Sequence, residues 1–185
     1  GAYAKPMLSN AIALGKGAAQ LVSQSADQMA AQLDAQVMTH TEVTAIDSAA
    51  RTIGTAQGQR IAYRDLVLAL GAQPIRLPIE GDAAGEILSV NHIDDYVQMR
   101  ERLTAIGRPA RVAILGAGLI GCEFADDLIA GGHQVTLIDP NPRPLAALAA
   151  PALSDALTQA WSALPIALKL GTTAASVRHA DEAFV

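Results

Sequence analysis

The stretch that most constrains this chain is Val112–Asp139, VAILGAGLIGCEFADDLIAGGHQVTLID. Val112–Leu115 is an unbroken apolar run, suited to a parallel strand buried on both faces. Gly116, Gly118 and Gly121 follow at once in the spacing G-x-G-x-x-G. Ile120, Phe124 and Leu128 then recur every fourth residue, the apolar stripe of a helix. Gly131-Gly132 ends that helix, and Val135–Ile138 forms a second buried strand that closes on Asp139.

Each glycine has a distinct physical task in this pattern. Gly116 permits a tight turn out of the strand, Gly118 lets backbone approach a pyrophosphate, and Gly121 lets helix pack on strand. The phosphate charge is expected on free N–H groups at the helix start, those of Leu119 and Ile120 among them. Asp139 lies about 20 residues beyond the glycines, where a carboxylate accepts hydrogen bonds from the adenosine ribose hydroxyls. Together these elements predict a dinucleotide site. A carboxylate at this place repels a 2′-phosphate, so NADH is expected over NADPH. Arg143 pulls the other way if it holds that phosphate; among Pro140, Pro142 and Pro144 it also reads as a solvated loop residue.

The remaining composition excludes several functions. Of the 185 residues 51% are apolar, enough for a sizeable core in one large or two small domains. A net charge of −5 argues against nucleic acid as a main partner, since phosphate binding needs a basic face. No apolar run approaches the ~20 residues of a membrane span, and no signal peptide is visible. Cys122 is the only cysteine, so no disulfide framework or C-x-x-C pair exists within the sequence; it reads as a small core residue. His40, His92, His133 and His179 lack metal-ligand spacing and read as structural or surface residues, so no metal site is expected. These features predict a cytoplasmic protein. The sequence opens on Gly1 rather than methionine and closes on Phe184-Val185, which reads as the start of a strand; a piece of a longer protein is expected.

The other elements are expected as follows. Pro6 starts a helix running to about Leu14, broken by Gly15 and Gly17. Ser25 and Gln28 have capping-box spacing for a helix to about Asp34. Val37–Thr39 and Glu42–Ile46 read as short strands, and Thr52–Thr55 with Gln59–Tyr63 as a hairpin around Gly58. Leu66–Leu70 reads as a buried strand, followed by a link from Pro74 to Gly81. Asn91 or Asp94 caps a helix carrying Tyr96, Val97 and Leu103, which Gly107 ends. Pro151 begins a helix with Leu153, Leu157 and Trp161 on one face. Ile166–Leu170 and Ala175–Arg178 are expected strands, with a turn at Asp181-Glu182.

The order of these pieces resembles the pyridine-nucleotide-disulfide oxidoreductases, flavoproteins with two dinucleotide-binding domains, and within them the rubredoxin–NAD reductases. The likeness is carried by YAKPMLS at Tyr3–Ser9, THTEVT at Thr39–Thr44, YRDLVLA at Tyr63–Ala69, and the block LGAGLIGCEFADDL beginning at Leu115. It implies an α/β fold, a Rossmann-like doubly wound parallel sheet for NAD joined to part of a FAD-binding α/β domain. Residues 1–86 would belong to the FAD domain and 87–185 to the NAD domain. The family's first glycine motif would precede Gly1, and its second FAD segment would follow Val185.

The resemblance also implies site residues. A lysine matching Lys5 sits under the flavin, a glutamate matching Glu123 pairs with it, and a residue matching Val43 meets the FAD adenine through its backbone. A fixed ammonium stabilises the negative charge that hydride arrival places on the ring, and a carboxylate keeps it oriented. From the residues alone, Lys5 is a solvated lysine before a helix, Glu123 an exposed helix acid and Val43 a strand residue. Leu70 departs from the threonine usual in the family strand. The implied function is transfer of electrons from NADH through FAD to rubredoxin, with a ferredoxin reductase or an NAD-binding fragment without its own redox activity as alternatives. Disulfide reductases of the superfamily keep a cysteine pair just ahead of or within the region matching Lys5, and the Tyr3–Pro6 context resembles the subgroup that lacks it. Arg100, Arg102, Arg108 and Arg111 face an acidic partner or form a solvated helix end. No residue is assigned as catalytic.

Overall fold

The structure, a computed structural model, describes residues 1–180 together with 183–184. The expected turn at Asp181-Glu182 and the final Val185 lie outside the described residues. Helices and strands follow in the order α1 (Met7–Ala13), α2 (Ala26–Leu33), β1 (Val43–Asp47), β2 (Thr52–Thr55), β3 (Arg60–Ala62), α3 (Ile93–Ile106), β4 (Arg111–Leu115), α4 (Leu119–Ala130), β5 (Gln134–Asp139), α5 (Pro151–Trp161), β6 (Ile166–Leu170), β7 (His179–Ala180) and β8 (Ala183–Phe184). The chain forms two compact units, Gly1–Ala2 with Val22–Gln73, and Tyr3–Leu21 with Pro74–Val185. The mixed α/β class with a parallel sheet agrees with the sequence.

The first unit holds α2 and an antiparallel sheet in the order β1-β2-β3. The capping box forms as expected: the Gln28 N–H donates to Ser25 Oγ, and the Ser25 N–H donates to Gln28 Oε1 at 2.8 Å. The β2–β3 hairpin turns at Gly58, whose φ of +81° suits glycine. Two expected strands are absent. Val37–Thr39 is irregular, because His40 takes φ +50° and Thr41 Oγ1 bonds back to the Thr39 carbonyl, closing a turn. Leu66–Leu70 is extended but forms no ladder among the described residues, and Val67 and Leu70 are each 85% exposed. An apolar run becomes a buried strand only where a neighbour supplies the ladder.

The second unit is built on the parallel sheet β4-β5-β6, with β5 in the centre. Arg111 pairs with Gln134 and Val135 with Ile166, so all three strands end together at one edge. Helices α1 and α4 pack together, and their core joins Leu8, Ala11 and Ile12 with Ala125, Leu128, Tyr96 and Val135. Tyr96 is fully buried and its hydroxyl donates to the Lys16 carbonyl at 2.6 Å. A second cluster joins Ala117, Cys122, Leu137 and Trp161. No described helix is long and apolar enough to cross a membrane.

Sequence periodicity found these helices but misplaced parts of their faces. On α4 the buried positions are Cys122, Ala125 and Leu128, whereas Ile120 is 65% exposed. On α5 the buried side is Ser154 and Trp161, and Leu153 is exposed; Ser154 Oγ donates to the Pro144 carbonyl at 2.6 Å. The cap of α3 is His92 rather than Asn91 or Asp94. Asp95, three residues on, accepts the N–H groups of both Asn91 and His92. Ala175–Arg178 is an extended segment with a single parallel bridge from Ser176 to Glu80, and the regular strand begins only at His179.

Candidate functional site

The site is the turn from β4 into α4. Gly116 leaves the strand with φ +111°, which favours glycine, and its N–H donates to the Ile138 carbonyl at 2.8 Å. Gly118 is the N-cap in extended backbone, and a Cβ there would meet open space. Gly121 is the opposite case. A Cβ there would collide with the Gly116 carbonyl oxygen. The loop thus separates two tasks: one glycine keeps room outside the protein, the other removes a side chain from inside it. The first amides of α4, Leu119 and Ile120, have no acceptor one turn earlier within the helix, and both side chains are exposed. The helix dipole adds a positive potential where they point. Free amides and open space at a helix start are the features that anion binding needs.

A cleft of about 260 Å³ opens at the carboxyl ends of the strands, lined by Leu115, Gly116, Ile138, Pro140, Thr172 and neighbouring residues, with Leu77–Ile79 on its rim. Parallel α/β sheets bind their ligands at this edge.

Asp139 closes β5 and is buried. Its Oδ2 accepts the Ala117 N–H at 2.6 Å, and its Oδ1 accepts the Asn141 N–H at 2.7 Å and Nδ2 at 2.9 Å. Burial pushes its carboxyl up, but the hydrogen bonds from Ala117 and Asn141 outweigh burial and leave it below the usual aspartate value. The acid therefore stays ionised and is tied to the middle of the glycine loop. The Ala117 carbonyl is held as well, by the Leu145 N–H at 2.7 Å and by Cys122 Sγ at 3.4 Å. Leu145 makes its bond from φ +59°, a costly conformation for a branched side chain. Neither Asn141 nor Leu145 carries a sequence signal: one sits two residues past the acid, the other in a proline-rich loop.

Cys122 is the core residue the sequence implied. Burial first, then the nearby Asp139 and Glu123 charges, push its thiol up to about 11, against a smaller lowering by the Leu145 backbone, so it is an inert neutral group. Arg143 is an exposed loop residue, as the surrounding prolines implied. Its Nε donates to Asp155 Oδ1 on α5 at 3.1 Å, an exposed pair.

Of the residues that the resemblance connected to flavin, Lys5 and Glu123 belong to the second unit and Val43 to the first. Lys5 lies just before α1, and its Nζ donates to Asn91 Oδ1 at 2.6 Å. Glu123 is exposed on α4, and among the described residues it forms no ion pair with Lys5. The difference follows from the nearer partner: an exposed ammonium satisfies itself with the Asn91 amide. Val43 begins β1 opposite Thr55, beside a bulge, and is exposed.

The β4–α4–β5 unit, its glycine loop and its terminal acid define a Rossmann-type dinucleotide-binding module. Residues 1–185 match the family described as pyridine nucleotide-disulphide oxidoreductase, and the chain belongs to that family. A rubredoxin-NAD(+) reductase of Acinetobacter baylyi is 44% identical over 183 residues, covering 97% of this chain and 46% of that protein. One from Alcanivorax borkumensis is 39% identical, covering 97% and 46%. Among solved structures, a putidaredoxin reductase–putidaredoxin complex superposes with a TM-score of 0.82 at 27% identity, covering 97% of this chain and 43% of that one. The chain thus spans about half the length of the curated relatives it matches.

Proposed function

We propose that this chain is part of an NADH-dependent flavoprotein oxidoreductase that passes electrons through FAD to rubredoxin or a similar small electron-transfer protein. The observation that carries the proposal is the glycine loop: open at Gly118, closed at Gly121, and tied through Ala117 to an ionised Asp139. Two relatives that match 97% of this chain are named rubredoxin-NAD(+) reductases, and the solved complex pairs a related reductase with putidaredoxin.

In this reading residues 87–185 form the NAD-binding domain and residues 1–86 part of the FAD-binding domain. Gly116, Gly118 and Gly121 shape the loop, Leu119 and Ile120 offer amides to the pyrophosphate, and Asp139 accepts from the adenosine ribose. Lys5 and Val43 are both accessible, the condition that contact with FAD sets for them. FAD supplies storage of two electrons from a hydride and their release one at a time. The Lys5 ammonium would stabilise negative charge there, and Glu123, exposed on α4, would compensate that cation. The setting is cytoplasmic, and the acceptor is a protein rather than a nucleic acid or membrane.

The test is anaerobic reduction of rubredoxin by NADH, followed at its visible absorption, with the full chain and added FAD. Reduction well above that given by NADH and FAD alone supports the proposal. NADH binding with no electron transfer identifies a binding module, and no NADH binding rejects the site.

A further inference from the structure

We propose that Asn141 sets the preference of this site for a nicotinamide dinucleotide with a free adenosine 2′-hydroxyl over one carrying a 2′-phosphate. It does so by fixing where Asp139 points and how many acceptor positions remain open. The inference rests on Asp139 as the ribose acceptor.

An ionised carboxylate offers about four lone-pair positions. In Asp139 the Ala117 N–H occupies one on Oδ2, and the Asn141 N–H and Nδ2 occupy two on Oδ1. One acceptor position is left, on the oxygen shared with the glycine loop. The carboxylate is therefore presented to a ligand as a single aimed acceptor, matched to one hydroxyl.

Asn141 is itself anchored. Its carbonyl accepts the Gly171 N–H at 2.9 Å just past β6, and the Thr172 N–H donates to the Asp139 carbonyl at 3.2 Å. Pro140 between them and Thr172 beside them line the cleft at the strand ends. The Asn141 amide thus connects the end of β6 to the orientation of the acid at the end of β5. Without Nδ2, Oδ1 keeps one donor and the carboxylate turns more freely about its bond to Ala117. A dinucleotide that needs the aimed acceptor loses affinity; one carrying a phosphate there never used it and loses little.

The test compares NADH and NADPH dissociation constants in the full chain. Trp161 is its only tryptophan and packs in one cluster with Ala117 and Cys122, so quenching of its emission reports binding. Asn141→Ala is expected to weaken NADH about tenfold and NADPH by less than about threefold, lowering the preference for NADH. Asn141→Leu, close in volume but without the donor and without a new charge, is expected to lower the same ratio. Ser154→Ala, which loosens the same loop at Pro144 without touching Asp139, is expected to lower thermal stability and leave the ratio unchanged.

If both Asn141 variants keep the wild-type ratio while Asp139→Asn changes it, Asn141 has no such role and the Asp139 reading stands. If Asp139→Asn leaves the ratio unchanged as well, or the unaltered chain shows no preference, both are overturned. A ratio that falls equally in Ser154→Ala reduces Asn141 to a structural residue and overturns the proposal.

Discussion

Gly121 faces the Gly116 carbonyl oxygen so closely that no side chain fits between them. The first turn of α4 is thereby pressed onto the end of β4, and the amides that open the helix are fixed relative to the strand. Replacing Gly121 with alanine forces backbone, not a flexible side chain, to move. Gly121→Ala is expected to cost about 1–3 kcal/mol and to weaken NADH binding. Thermal unfolding and an NADH titration check it; unchanged stability contradicts the packing described.

Gly118 makes the complementary case. Its φ of −74° and ψ of −175° suit any residue, and a Cβ there meets nothing. Gly118→Val is expected to fold with nearly the parent melting temperature and to lose dinucleotide binding, because the new side chain fills the space of the pyrophosphate. NADH affinity within about twofold of wild type contradicts the site.

Leu145 holds the Ala117 carbonyl from φ +59°. Leu145→Ala and Leu145→Gly lose almost the same apolar contacts, but only glycine escapes the left-handed penalty. Leu145→Gly is expected to be more stable than Leu145→Ala by about 1 kcal/mol, the reverse of the usual order. Chemical denaturation of the two variants decides it; alanine equal to or above glycine contradicts the strain.

Asp139 links acid stability to cofactor choice. Burial raises its pKa and the amide donors lower it further, so the folded value lies below the unfolded one. On acidification the unfolded chain takes the proton first. The stabilisation is complete above the unfolded value of about 4 and is lost as pH falls through the folded value. Asp139→Asn is expected to flatten that part of the stability profile. Asp139→Ala is expected to weaken NADH more than NADPH, measured by paired titrations; an equal loss contradicts the ribose assignment.

The sequence made the site legible where local chemistry alone determines it. Glycine spacing, buried strands and a terminal acid constrain one another between Val112 and Asp139, and the loop forms as that pattern requires. The Ser25–Gln28 cap and the Gly58 hairpin are local for the same reason. Leu66–Leu70 is different, because burial of a strand depends on a neighbour its own residues do not encode. Helix faces failed in phase rather than period: small residues, Ala125 and Ser154, take the most buried places, so counting large apolar residues turned the face toward Ile120 and Leu153. Leu145 shows the other limit. Its positive φ accompanies the bond to Ala117, and no residue type announces it.

The central claim, that this loop holds NADH, is tested most directly by calorimetric titration of the full chain with NADH and then NADPH. The account predicts saturable binding at one site per chain, with NADH preferred by about tenfold or more, or roughly 1.4 kcal/mol. No saturable heat with NADH, or NADPH bound as tightly, would contradict it.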